Sequence, residues 1–256
     1  MASEIFYYIL VFFAGASVGS FSITAANRIA SNKDFIRAPS ACDNCGELLK
    51  FYELIPVISW FWQKNRCNYC GSKIGYEIVI SEITCAFLFV GIVYIFGANF
   101  QSIYFLVFFG LLFAMSLSDL KSKAIYDSWL LILVTVSLIP VGADFAEKLK
   151  NFLIFCGGFF LLDFLVTFYI QNIKAKFTNN ESLKTQKALG DADMIIAGAI
   201  GANLGLVFGL GSIFLASCLA IIPSILNTIY KKDSELPFVP FLACGFLIAI
   251  CAKEVM

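Results

Sequence analysis

Apolar residues in this chain form long runs that polar residues interrupt only briefly. A helix needs about 20 residues to cross the roughly 30 Å hydrocarbon layer of a bilayer, and about eight runs approach that length. We place these runs at residues 5–26, 78–97, 102–118, 128–143, 151–171, 192–208, 210–230 and 237–252. The pattern therefore predicts an all-α polytopic membrane protein with about eight transmembrane helices.

One polar segment is much longer than the others. Residues 27–77 separate the first two apolar runs and contain charged residues throughout. We expect three parts in the chain: a first transmembrane helix at 1–26, a small cytoplasmic domain at 27–77 and a membrane-embedded core at 78–256. The first run has neither a basic start nor a small-residue cleavage site, so we interpret it as a retained helix and not as a signal peptide.

Composition restricts the possible chemistry. Of the 256 residues 60% are hydrophobic and 14% are charged, which is outside the range of soluble domains. The 18 basic and 18 acidic residues cancel, so no overall field favours nucleic acid as a partner. The chain has no histidine, which excludes Ser-His-Asp and Cys-His catalytic centres and histidine-bound metals. Carboxylates and thiolates are the reactive groups that remain.

The distribution of basic residues predicts the orientation in the membrane. Cytoplasmic loops of membrane proteins carry an excess of Lys and Arg. If residues 27–77 are cytoplasmic, the loops near 121, 174–187 and 231 are cytoplasmic too. The basic residues left on the other side are Lys148, Lys150 and Lys253. This topology predicts outward-facing termini and brings Asp119 and Asp191 to the cytoplasmic face.

Two carboxylates stand where charged loops meet apolar runs. Asp119 follows the run that ends at Ser118, and Asp191 opens the run after Gly190. Carrying an ionised carboxylate into lipid costs about 3 kcal/mol on insertion scales, so each is expected to face a polar cavity. Two such groups permit hydrolysis, because one can deprotonate water while the other, protonated, polarises a carbonyl. The alternative is that both cap their helices, and Asp191 fits an N-terminal cap.

Two CxxC pairs lie in the polar segment. They are Cys42 with Cys45 and Cys67 with Cys70, and a glycine follows each pair. This spacing is typical of zinc knuckles, in which four thiolates surround the ion at about 2.3 Å. We predict a structural zinc, which would supply much of the folding free energy of so small a domain. Two disulfides are the alternative, which a cytoplasmic location disfavours.

Other polar and small residues lie within the apolar runs. Asp163 interrupts the fifth run, where either a functional role or an interhelical hydrogen bond explains it. Gly201, Gly205 and Gly209 are four residues apart and indicate close helix packing. We interpret the five remaining cysteines as small packing residues. These are Cys85, Cys156, Cys218, Cys244 and Cys251.

Several motifs occur together in this chain. They are Gly19-Ser20-Phe21, the two cysteine pairs, the segment 53–60, Asp119 with Ile125-Tyr126-Asp127, Gly190-Asp191 and the segment 236–243. In these motifs the chain resembles the bifunctional prepilin leader peptidases of bacterial type IV pilus, type II secretion and DNA-uptake systems. That family consists of GxGD-type intramembrane aspartic peptidases. The chain departs from the family pattern at Ala188, Tyr126 and Asp193, where the family has glycine, proline and lysine.

The resemblance implies a function and a location. Asp119 and Asp191 would be the catalytic pair at the cytoplasmic face of the bacterial inner membrane. The substrate would be a prepilin or pseudopilin, cut after a glycine and then N-methylated with S-adenosylmethionine. Methylation is associated with the cysteine-bearing loop, so the loop favours the bifunctional enzyme over shorter, peptidase-only relatives.

Binding residues for the methyl donor are not identified by the sequence. Within the cysteine-bearing loop, Glu47 and Glu53 are candidates for binding an amine, or else ordinary solvated charges. The competing hypothesis for the whole chain is a zinc-stabilised membrane assembly or transport protein without peptidase activity. In that protein the carboxylates would carry ions or bind a partner.

Overall fold

The structure is a computed structural model that describes residues 2–35, 37–174, 176, 189–229 and 236–255. Helices account for most of these residues, and the β-structure described is limited to two isolated bridges, Ala41 with Leu48 and Arg66 with Lys73. The all-α prediction is confirmed. The chain divides into two compact units, Met1–Ala124 and Ile125–Met256.

The first unit contains three long helices. They are α1 (Ala2–Ala30), α3 (Tyr76–Phe96) and α4 (Phe100–Ser122), and between α1 and α3 lie a 3-10 turn (Phe51–Leu54) and the short α2 (Ile58–Trp62). Helices α1 and α3 approach closely because α1 has glycines at the contact. A Cβ at Gly19 would come within 2.5 Å of the Ser81 carbonyl oxygen. Small residues allow this approach between apolar helices, where lipid provides no hydrophobic driving force.

The second unit contains α5 (Asp127–Ser137), α6 (Phe145–Phe168), α7 (Asp191–Ile229) and α8 (Val239–Val255), and α6 continues into a π-helical turn (Tyr169–Lys174). Helix α7 is broken at Gly205, whose φ of 76° and ψ of −176° are not helical. Gly201 and Gly209 pack against the ring of the buried Phe155, as their spacing predicts. Gly205 instead supplies a conformation that residues with a Cβ rarely adopt.

Two lysines stabilise the break in α7. The buried Lys148 donates from Nζ to the Ser137 carbonyl at 3.3 Å and to Asn203 Oδ1 at 3.2 Å. Lys253 Nζ donates to the Asn203 carbonyl at 3.3 Å. Cations are favourable at the C-terminal end of a helix, where carbonyl groups lack partners. These basic residues, which lie outside the predicted cytoplasmic loops, therefore have a structural role.

Five of the described helices are long and apolar enough to cross a membrane. They are Ser3–Ala30, Tyr76–Phe96, Phe100–Ser122, Phe145–Lys174 and Asp191–Asn227. The predicted run 128–143 forms the shorter Asp127–Ser137, because Pro140 disfavours helix in the residue before it. The predicted runs 192–208 and 210–230 belong to one broken helix. The count of eight stays a prediction.

Candidate functional site

Each cysteine pair lies in a tight hairpin. In the first hairpin, the Cys42 amide donates to the Glu47 carbonyl and the Gly46 amide donates to the Cys42 carbonyl, both at 2.9 Å. The second hairpin repeats both bonds at 2.9 Å, from Cys67 to Ser72 and from Gly71 to Cys67. Gly46 and Gly71 have φ of 74° and 71°, the left-handed conformation that such turns require. The two hairpins therefore present their cysteines in the same way.

The structure brings the four predicted metal ligands together. The Sγ atoms of Cys42, Cys45, Cys67 and Cys70 all lie within 4.8 Å of one another. Sulfurs at the corners of a tetrahedron with 2.3 Å metal–sulfur bonds are about 3.8 Å apart. The Cys42 and Cys70 sulfurs are 3.9 Å apart, and all four cysteines are free thiols. This arrangement fits a zinc ion and does not contain the disulfides of the alternative interpretation.

The protonation of the cluster also favours a cation. The Ser72 hydroxyl and amide lower the pKa of the Cys70 thiol to about 6, and the amides of Cys45 and Asn44 lower the pKa of the Cys42 thiol. The Glu47 amide lowers the pKa of the Cys45 thiol, but burial and the neighbouring sulfurs outweigh it and raise that pKa to about 12. Four thiolates at this distance need a positive ion to ionise together.

Glu53 connects the 3-10 turn to the second hairpin. Its side chain is buried, and its carboxylate accepts from the Lys50 amide at 2.8 Å, from Asn68 Nδ2 at 2.6 Å and from the Tyr69 hydroxyl at 3.5 Å. The Lys50 amide, followed by Asn68, lowers the pKa of this carboxyl group. Glu53 thus has a structural role in the hairpins, whereas the side chain of Glu47 is exposed.

Asp119 lies in the last turn of α4 and is 8% exposed. Helix α4 continues past the apolar run, which ends at Ser118, to Ser122, so Asp119 belongs to the end of the helix. The helix ends at Lys123, where a φ of 52° turns the chain. Two residues after Asp119, Lys121 forms an ion pair with Glu77 at the start of α3. Asp119 therefore lies at the end of the first unit from which the cysteine-bearing segment also leaves.

Asp191 is the first residue of α7 and is exposed. Asp193 Oδ2 accepts a hydrogen bond from the Gly190 amide at 3.2 Å, and the Asp193 amide donates to the Gly190 carbonyl at 3.1 Å. Asp193 is buried and caps the helix in this way. The carboxylate at position 193 therefore forms a hydrogen bond within the first turn of α7, at a position where the family that the motifs resemble has lysine. Ala188, the other departure in this motif, lies outside the described residues.

Asp163 supports the turn that leads to Asp191. Its Oδ1 atom accepts from the Leu189 amide at 3.0 Å and from the Thr167 hydroxyl at 3.2 Å. The sequence left the role of Asp163 open between function and an interhelical bond. The structure shows that this carboxylate holds the backbone two residues before Asp191, so it connects α6 to the candidate catalytic residue. Asp119 and Asp191 belong to different compact units, and their pairing stays a prediction.

The described chain thus combines long apolar helices, a four-thiol cluster in two hairpins and carboxylates at helix ends, which is the architecture of a membrane protein with a small metal-binding segment. The bacterial Peptidase A24 N-terminal domain matches residues 13–96, and the Type IV leader peptidase family matches residues 106–225. The two matches follow one another and together cover most of the chain. This chain belongs to the type IV leader peptidase family, as the motifs indicate, and is a multi-pass membrane protein.

Curated relatives support the same assignment. A protein of Bacillus subtilis (strain 168) is 26% identical over 248 residues, 94% of this chain and 92% of the relative. A protein of Myxococcus xanthus (strain DK1622) is 26% identical over 230 residues, 86% of this chain and 63% of the relative. A protein of Legionella pneumophila is 26% identical over 219 residues, 82% of this chain and 71% of the relative. Each is named prepilin leader peptidase/N-methyltransferase. No solved structure matches the chain.

Proposed function

We propose that this protein removes the leader peptide of type IV prepilins or pseudopilins and methylates the new N-terminus. The observation that carries this function is the match of both family models in order along one chain. The first match contains the cysteine hairpins and the second contains both candidate carboxylates. The bifunctional names of the relatives support both activities. They do not favour the alternative of a transport or assembly protein without peptidase activity.

For leader cleavage we assign Asp119 and Asp191 as the catalytic pair. One carboxylate accepts a proton from water as the water attacks the scissile carbonyl, and the other, protonated, donates a hydrogen bond to the carbonyl oxygen. Two interacting carboxyl groups titrate as a pair, so neither residue receives a fixed acid or base role. The burial of Asp119 and the support of Asp191 by Asp163 and Asp193 are consistent with positioned catalytic groups.

For the cysteine-bearing segment we assign a structural zinc, held by Cys42, Cys45, Cys67 and Cys70. The ion would supply the cross-link between the two hairpins, since four thiolates in this geometry suit zinc. S-adenosylmethionine would supply the methyl group in the second reaction. Glu47, whose exposed side chain lies beside the first hairpin, remains a candidate for binding the substrate amine.

We also propose the membrane arrangement that the charges predict. Residues 27–77 and the ends of helices that carry Asp119 and Asp191 face the cytoplasm, and the core comprises residues 78–256. Five long apolar helices support five of the eight crossings. We assign the remaining three to the division of α7 at Gly205, to α8 and to the apolar run 128–143, of which Asp127–Ser137 is helical. A prepilin, with a basic leader in the cytoplasm and an apolar helix in the membrane, would present its cleavage site at this face.

An assay of both reactions on one substrate tests the proposal. Purified full-length protein in detergent is mixed with a synthetic prepilin and S-adenosylmethionine, and mass spectrometry reads the cut and the added methyl group. Asp119→Asn and Asp191→Asn should each lower the cleavage rate by about 10²- to 10⁴-fold, the range of general acid–base contributions. Asp144→Asn is the matched control, since Asp144 is exposed and immediately precedes α6 without a side-chain cap hydrogen bond.

Each outcome of this assay has a distinct meaning. Normal cleavage by both Asp119→Asn and Asp191→Asn proteins would overturn the catalytic assignment. Cleavage by the wild type without added methyl would leave the peptidase and remove the methyltransferase. A purified wild-type protein that cleaves no prepilin, while the Bacillus subtilis relative does so in the same assay, would contradict the proposed function.

A further inference from the structure

Residues 51–62 expose an unusual number of aromatic side chains. Phe51 is 86% exposed, Trp62 83%, Phe61 62% and Tyr52 57%. We call residues 51–62 the aromatic segment. Several large aromatic side chains exposed within one short segment indicate contact with a partner or with lipid. The aromatic segment therefore needs an environment other than water.

One end of the aromatic segment is bound to the second cysteine hairpin. Glu53 is buried and accepts hydrogen bonds from Asn68 and Tyr69 of the second hairpin. The strongly exposed rings of Phe51 and Trp62 lie near the two ends of the same segment. The segment is therefore amphipathic: part of it binds the hairpins, and its aromatic surface remains uncovered.

A hydrogen bond places the middle of the aromatic segment beside a membrane helix. The Val57 amide donates to Glu82 Oε2 at 2.7 Å, and Glu82 lies within α3 with 4% of its surface exposed. At 1.5 Å per residue, Glu82 is about 9 Å along the helix from Tyr76. The 21 residues of α3 measure about 32 Å, which is close to the hydrocarbon thickness of a bilayer. Helix α3 has little surplus length, so Val57 lies at the level of the membrane boundary or below it.

A ring contact and a strained backbone angle also indicate that the aromatic segment is held at this level. The Trp60 and Tyr76 rings are 5.4 Å apart, which keeps α2 beside the first residue of α3. Val57 has a φ of 65°, a backbone conformation that β-branched residues rarely adopt. The surrounding contacts must compensate for this strain. The buried carboxylate of Glu82 provides one such contact.

From this geometry we propose that Phe51, Phe61 and Trp62 insert into the boundary between lipid headgroups and acyl chains, on the bilayer face from which residues 27–77 project. Trp and Tyr favour this boundary because their rings are apolar with a polar atom. Lys50 and Lys64 flank the aromatic segment, and their charges suit anionic headgroups. The aromatic segment thereby attaches the cysteine hairpins to lipid. This anchor does not depend on the catalytic assignment.

Tryptophan fluorescence of the full-length protein in lipid nanodiscs tests the proposal. The discs contain phosphatidylglycerol and phosphatidylcholine, the latter either ordinary or brominated near the headgroup end of its acyl chains. Subtracting the emission of Trp62→Phe protein from that of wild type isolates Trp62. We expect brominated lipid to remove most of this emission and soluble iodide to remove little of it. Phe51→Trp in the Trp62→Phe background should behave in the same way at the other end of the segment.

A tryptophan in water provides the matched control. Glu47→Trp, in the same Trp62→Phe background, places the ring at an exposed position of the first hairpin. Its emission should be lost to iodide and retained with brominated lipid. Iodide quenching of Trp62 and of Phe51→Trp that equals this control, without quenching by brominated lipid, would overturn the proposal.

Protection from iodide that arises only after prepilin is added would assign the surface to the substrate. Protection that requires two protein copies per disc would assign it to self-association, and both results would likewise overturn the lipid anchor.

Discussion

The cysteine hairpins and the turn at Asp191 are organised in different ways. Each hairpin is closed by hydrogen bonds between residues close in sequence, and the hairpins together form one thiol cluster. The turn at Asp191 instead depends on Asp163, which is 26 residues before the Leu189 amide that it binds. The proposed partner of Asp191, Asp119, belongs to another compact unit. The cysteine hairpins are therefore formed by contacts between residues close in sequence, whereas the turn at Asp191 is held by a contact between residues distant in sequence.

This difference implies different sensitivities to substitution. The hairpins contain few buried apolar residues, so the proposed zinc, by joining four ligands, would supply much of their stability. The turn at Asp191 joins the long apolar helix α7, so we expect the loss of one hydrogen bond to shift the turn without unfolding the unit. Removal of metal ligands should therefore affect structure, and removal of Asp163 should affect rate.

The largest effect is expected for replacement of all four hairpin cysteines by serine. Zinc binding contributes about 10–16 kcal/mol in small zinc peptides, so its loss should unfold the hairpins. We expect elemental analysis to detect no bound zinc. We also expect rapid deuterium exchange at the backbone amides of residues 67 and 71. Exchange in α5–α8 should stay unchanged. Cys218→Ser, at an exposed lone cysteine, serves as the control and should retain zinc.

Two outcomes of these zinc and exchange measurements would contradict the prediction. Quadruple Cys→Ser protein that holds as much zinc as the wild type would show that the ion binds elsewhere. Slow exchange in the hairpins of zinc-free protein would show that they fold without metal. Either result would contradict the contrast between a metal-dependent hairpin pair and a helix-supported turn.

A smaller effect is expected at Asp163. Asp163→Ala removes the acceptor of the Leu189 amide, so the turn before Asp191 should shift, and misplacement of a catalytic group by about 1 Å can cost 10²-fold. We expect kcat for prepilin cleavage to fall by about 10- to 100-fold with KM nearly unchanged. Asp163→Asn keeps an acceptor oxygen and should retain most of the rate.

Thr167→Val gives the matched control for this prediction. It removes the second hydrogen bond to Asp163 Oδ1 but leaves the Leu189 bond in place. Its effect on kcat should be slight. Equal rates for wild type and Asp163→Ala would show that Asp163 serves helix packing alone, which is the other interpretation that the sequence allowed.

The features predicted well are those that short-range spacing determines. Apolar run length predicts helices across the described chain, and two CxxC spacings predict a cluster that the structure confirms. The φ values of Gly46 and Gly71 follow from the same hairpins. In each case the residues that make the contact are close in sequence, so their pattern contains the required information.

The features predicted poorly depend on distant partners or on a single backbone angle. The glycine spacing of α7 indicates packing at Gly201, Gly205 and Gly209 alike, and only the structure distinguishes the break at Gly205. The role of Asp163 depends on a backbone amide in another segment. Likewise, α4 continues beyond the predicted run 102–118 to Ser122, through polar residues that an apolar pattern does not include.

The smallest expected effect is at Asp193, and it separates two explanations of that residue. If its role is the hydrogen bond to the Gly190 amide, Asp193→Asn should keep an acceptor and nearly the wild-type rate. Asp193→Lys, which introduces the family's usual residue, should lose the cap, lower stability by about 1 kcal/mol and reduce the rate moderately. If instead its negative charge sets the protonation of the catalytic pair, both variants should shift the pH–rate profile. The pH–rate profiles of the two variants in the prepilin assay decide between these explanations. We expect Asp193→Asn to retain the wild-type profile, because the hydrogen bond from the Gly190 amide needs an acceptor oxygen and not a charge.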